Sequence, residues 1–141
     1  KLFIHVHPGY LPEYRGSTCF YYSLLESNGV AATAFVMNEV IDTGNVLARA
    51  RFSPNIRVER DQRHFMDQIL DPYVRARVLE TVIMKLRDGN TFITQACTPS
   101  SRPVYYVMHP LLRTLAVNRL NSMYLPDQPV GLFEQKLEEE S

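Results

Sequence analysis

Two histidines, His5 and His7, lead into the loop Pro8-Gly9-Tyr10-Leu11-Pro12-Glu13-Tyr14-Arg15-Gly16, and an acid follows in the run Ile41-Asp42-Thr43-Gly44. Imidazole is the side chain whose ordinary pKa lies nearest neutrality, and a carboxylate beside it makes a general acid/base pair. The carboxylate favours the charged ring and raises its pKa, so His7 could be an imidazolium near neutral pH where the fold brings Asp42 to it. An imidazolium can donate to a developing oxyanion and then pass its proton to a leaving nitrogen. His5 sits two residues from His7, so a strand through both puts the two rings on one face. The same His-x-His spacing could instead place two imidazoles on one metal ion, with Asp42 or His109 completing the shell. That would be a metal-dependent hydrolase. A structural reading also stands, because Asp-Thr-Gly is turn-forming and a histidine at a loop entrance often only bonds the backbone.

These residues need a scaffold, and the pattern supplies one. Residues 1–6 read as a short strand that ends at Pro8 and Gly9. A helix over 18–27, capped by Ser17 or Thr18, should stop at Asn28-Gly29. Val30 to Met37 is nearly all apolar, as expected for a strand covered on both faces. A further strand is expected from Val46 to Phe52, with Arg49 and Arg51 alternating along it. Asp71-Pro72 should start an amphipathic helix that runs to Gly89. Residues 91–96 form a possible strand, His109-Pro110 leads into a helix bearing Leu111, Leu112, Leu115 and Ala116, and an acidic tail closes the chain. Strand–helix alternation makes this an α/β protein.

With 141 residues the chain has room for one domain with its own core. Its formal net charge of zero gives no electrostatic case for nucleic acid or a membrane surface. Cys19 and Cys97 fit neither a metal spacing nor a disulfide framework, so a reduced, cytoplasmic setting is expected. No apolar run reaches the roughly 18 residues that span a bilayer. The chain opens without Met in a strand-like run, Lys1-Leu2-Phe3-Ile4, and a missing N-terminal portion is therefore expected.

At His7-Pro8, Leu11-Pro12, Arg15-Gly16 and Asp42-Thr43-Gly44 the sequence resembles the folate-dependent formyltransferases. This family includes the glycinamide ribonucleotide and methionyl-tRNA formyltransferases. Its core motif is Asn-x-His-Pro-x-x-Leu-Pro-x-x-(Arg/Lys)-Gly, then a strand and Asp-x-Gly, and the resemblance covers residues 4–52. It implies a Rossmann-like formyltransferase fold, a mostly parallel sheet flanked by helices. Residues 1–97 would be the C-terminal half of the catalytic domain, and 98–141 a C-terminal extension with one helix and a flexible acidic tail.

The activity implied is formyl transfer from 10-formyltetrahydrofolate to an amine of a small metabolite or nucleotide sugar. By resemblance, His7 would polarise the formyl carbonyl. Asp42 would pair with His7 and move protons through a water, and Val40, Ile41 and Asp42 would lie against the pterin. No metal is implied. The family's Asn falls on His5, which inherits the donor position with a different reach and charge. The partners implied are a small-molecule amine and the missing N-terminal half of the same domain. A catalytically degenerate homologue serving as an interaction module is the remaining alternative.

Overall fold

A computed structural model describes residues 3–40, 42–59, 62, 64–89, 94, 96, 97 and 101–135. Four strands, β1 (Ile4–His7), β2 (Val30–Val36), β3 (Val46–Asn55) and β4 (Gly131–Glu134), form one sheet in the order β1-β2-β3-β4. Every pairing is antiparallel. The helices are α1 (Cys19–Ser27), α2 (Asp71–Arg87) and α3 (Pro110–Ser122). The expected α/β class holds, but the expected mostly parallel sheet does not.

The reason lies in how β2 is covered. Its first six residues are buried, as expected for a strand covered on both faces, a pattern that a parallel strand between helix layers would also give. One face, carrying Val30, Ala32 and Ala34, packs into the main core with Leu70, Val74, Val78 and Val82 of α2 and the turn before it. The other face, carrying Ala31, is covered by Tyr10 and Tyr14 from the 8–16 loop. A loop does the work that a crossover helix does in a parallel sheet, and an apolar run does not encode which of the two covers it.

Local signals set the boundaries. Asn28 ends α1 in the left-handed conformation (φ 58°), which Asn tolerates better than most residues. Thr18 caps no helix N–H with its side chain. Its hydroxyl instead donates to the Tyr106 carbonyl and accepts from the Met108 N–H, tying α1 to the segment before α3. Asp71 lies inside a continuous helical path, because the wider turn over Met66–Leu70 runs straight into α2. Its carboxylate pairs with Arg75 one turn on (3.0 Å).

The one helix of the expected 98–141 extension, α3, packs on the main core. Met108, Ala116 and Leu120 pack with Phe20 and Leu24 of α1. On α3 the leucines 111, 112 and 115 are exposed, and Ala116 and Leu120 form the buried stripe. The strand β4, which the Pro-rich sequence before it concealed, is held in place from β3. Buried Asn55 donates to the carbonyls of Leu125, Gln128 and Pro129 and accepts from the Leu125 N–H. The possible strand at 91–96 falls mainly outside the described residues, as does the acidic tail. Among the described residues no helix is long and apolar enough to cross a membrane.

Candidate active site

Antiparallel register gathers the site on one face of the sheet. His5 lies opposite Phe35, His7 opposite Thr33, and Thr33 in turn opposite Arg49. Alternation along each strand therefore points His5, His7, Thr33, Phe35, Arg49 and Arg51 toward the 8–16 loop. These side chains hold that loop. The buried Thr33 hydroxyl donates to the Gly9 carbonyl (2.8 Å) and accepts from the Leu11 N–H (3.0 Å). Arg49 donates to the Leu11 carbonyl (2.7 Å), and Arg51 pairs with Glu13 (2.6 Å). Both guanidinium groups also lie over the Tyr10 ring, at 4.6 and 3.9 Å from its centre.

His7 and Asp42 meet behind this loop. Both are buried, at 2% and 6% exposure. His7 Nδ1 stands 3.4 Å from Asp42 Oδ1, and Asp42 Oδ2 accepts the Gly16 N–H at 2.9 Å. His7 Nε2 lies 2.7 Å from the Tyr14 carbonyl oxygen. A carbonyl can only accept, so Nε2 carries the proton and donates. In the neutral ring Nδ1 is then an acceptor aimed at a carboxylate. The 3.4 Å separation is longer than the roughly 2.7–2.9 Å typical of a strong charge-assisted hydrogen bond.

The imidazolium that the sequence allowed is disfavoured. Burial pushes the His7 pKa below its ordinary 6.5 and outweighs the Asp42 charge, which acts upward together with the Tyr14 hydrogen bond; His5 and Arg75 add smaller downward contributions. The consequence for stability has a definite sign. Below pH 6.5 the unfolded chain takes up a proton at His7 before the folded chain does. The stabilisation is complete above pH 6.5 and is lost as pH falls toward the folded-state pKa. Urea titrations in chelator-treated buffer should show wild type losing stability over that acid range more steeply than His7→Gln.

The remaining residues build a cleft of about 870 Å³, lined by His5, Pro8, Arg15, Thr18, Glu39, Val40 and Val104 around the buried pair. This is within the ordinary range for small-molecule sites. His5 is exposed, its ring set edge-on to Phe35 (5.5 Å) and 6.4 Å from the His7 ring. Val40 is exposed on the rim. Its N–H is held by the Asn38 side chain and its carbonyl by the Thr43 hydroxyl. Ile41 lies outside the described residues. His109 does not reach the site, because it caps α3 by accepting from the Leu111 N–H. Neither cysteine is an activated nucleophile. Burial pushes the Cys19 thiol up to about 12, and the Cys97 thiol, which donates to the Asp42 carbonyl, is also raised.

Sequence reasoning missed the two main-chain groups that orient the pair, the Tyr14 carbonyl and the Gly16 N–H. It also missed the wall from the C-terminal segment, where Tyr105 bridges to Gly16. Gly16 has φ +103°, and a Cβ there would overlap the Tyr105 carbonyl. The Arg-Gly pair of the motif was the available signal, since a glycine at a loop end marks a positive φ or a close backbone approach.

No protein-family model matches the sequence, and no curated protein does. Solved structures do match. A candidate sugar N-formyltransferase from Mycobacterium tuberculosis aligns with 90% of this chain and 57% of its own, at 15% identity and a TM-score of 0.51. A 4-N formyltransferase from Francisella tularensis aligns with 99% of this chain and 63% of its own, at 19% identity and a TM-score of 0.53. The chain therefore shares the fold of these formyltransferases, over somewhat less than two thirds of their length.

Proposed function

We propose that this chain supplies the amine-activating part of an N-formyltransferase, moving a formyl group from 10-formyltetrahydrofolate to an amino group on a small molecule, an amino sugar in the first instance. One observation carries the reading. A buried imidazole and a carboxylate face each other beside an open cleft, on the fold of proteins described as a candidate sugar N-formyltransferase and a 4-N formyltransferase. The cleft fits such a donor in size, and Val40, Pro8 and Val104 give it apolar wall for a flat ring. When bound, the donor supplies an electrophilic formyl carbon. The rest of the domain, which the solved relatives carry beyond the matched length, would complete the pocket.

The roles follow from which atoms are free. Transfer joins the amine nitrogen to the formyl carbon, takes a proton from that nitrogen, and returns one to the nitrogen that leaves. His7 Nδ1 and Asp42 Oδ1 are the acceptors available for the amine proton. Once His7 holds it, the nearby carboxylate stabilises the imidazolium. The single N–H of neutral His7 is already committed to Tyr14, so it is not free to polarise the formyl oxygen. His5, exposed at the cleft, takes that donor role in the position where the family motif has Asn.

His5 is the direct test. His5→Ala should lower kcat about 100-fold, as expected for loss of one donor to a developing oxyanion. His5→Asn should recover most of it, because an amide is also a neutral donor. Release of tetrahydrofolate, followed spectroscopically, reads both. Equal rates for His5→Ala and wild type would remove His5 from the reaction.

A further inference from the structure

We propose that His5, His7 and Asp42 form a binding site for one zinc-class divalent cation. One imidazole nitrogen from each histidine of β1 and one carboxylate oxygen of Asp42, in the loop after β2, lie within 4.8 Å of one another. Zinc at 2.0–2.1 Å from each ligand sets tetrahedral ligands about 3.3 Å apart. His7 Nδ1 and Asp42 Oδ1, at 3.4 Å, already stand at that separation. Only His5 has to move, and it is the exposed member of the three.

The hydrogen bonds around the pair are those that prepare metal ligands. The Tyr14 carbonyl takes the Nε2 proton of His7, which fixes the tautomer whose Nδ1 lone pair faces Asp42. The Gly16 N–H holds the second oxygen of Asp42 and leaves Oδ1 for the cation. Two acceptors in a buried space repel until a proton or a cation comes between them. With two imidazoles and one carboxylate the donor set suits zinc, cobalt, nickel or copper, and not magnesium or calcium, which prefer all-oxygen shells. The fourth position opens on the cleft. The site stands independently of formyl transfer and would antagonise it, because the cation occupies the atoms that receive the amine proton.

The full chain, stripped with a chelator, should be titrated with Zn²⁺ against a chromophoric competitor and with Co²⁺ by visible absorption. One equivalent should bind, with the absorption of a four-coordinate cobalt site. Asp42→Asn should weaken binding at least ~100-fold and His5→Asn at least ~10-fold, whereas Cys97→Ser should leave it unchanged. His5 is exposed, so His5→Asn remains informative even if a change at the buried pair disturbs folding. Lack of saturable binding would overturn the proposal. So would equal affinity in wild type, Asp42→Asn and His5→Asn, which would put the cation elsewhere. Neither result depends on formyl transfer, so failure of one reading is separable from failure of the other.

Discussion

Replacing Asp42 with Asn should lower formyl transfer about 1000-fold while leaving the protein folded and at least as stable as wild type. The two effects separate because of how Asp42 is held. It has φ 57°, a backbone conformation that Asn adopts as readily as any L residue except Gly. The Asn carbonyl can keep the Gly16 N–H, and its amide N–H can donate to Nδ1 of neutral His7. A hydrogen bond would then replace the acceptor–acceptor contact, which supports the fold. The same bond blocks the nitrogen that should receive the amine proton and removes the charge that stabilises it. Loss of a general base costs roughly 10²–10⁴-fold, and both parts of the pair are affected here. Thermal unfolding followed beside tetrahydrofolate release reads the two effects. A loss of activity that tracked a loss of stability would mean that Asp42 is only a structural residue.

Gly44→Ala should be strongly destabilising, costing at least ~3 kcal/mol. A Cβ at position 44 would overlap the Val36 carbonyl oxygen and stand 2.7 Å from Cδ2 of Phe35. Backbone at the end of β2 cannot yield cheaply, because the Val36 N–H is bonded to the Asn45 carbonyl (2.9 Å). The 37–45 loop would have to lift, carrying Asp42 away from His7. Gly89→Ala is the control. That glycine has φ +68° with nothing within 4 Å of an added Cβ, so only the backbone term of about 1–2 kcal/mol applies. Chemical denaturation of both variants should separate a steric cost from a conformational one. Equal losses would show that the Gly44 packing is not as described.

Much of this site was legible before any fold was known, because motif spacing and strand periodicity act over short distances. His5 and His7 fall on one strand face, Asn28-Gly29 ends α1, and Asp42 arrives in the loop after β2. What the sequence did not show depends on contacts between distant segments. The apolar run of β2 shows burial on both faces, but not that Tyr10 and Tyr14 of a loop provide one of the covers. The protonation state of His7 was not legible for a related reason. A neighbouring carboxylate is visible in sequence, whereas the depth of burial that outweighs it, and a main-chain carbonyl seven residues on, are not. The strand β4 was hidden because its pairing rests on Asn55 gathering three carbonyls from residues 125–129.

The proposed transfer rests on one state of one ring, neutral His7 with its proton on Nε2 and its Nδ1 facing Asp42. Nitrogen-15 NMR of the imidazoles, with His7 assigned by its loss in His7→Gln and the sample free of metal, observes that state directly. At pH 7 His7 should show a protonated Nε2 and an unprotonated, acceptor-type Nδ1, and it should remain neutral as pH falls below 6.5. A proton on Nδ1 at pH 7, whether in the other tautomer or in an imidazolium, would contradict the account.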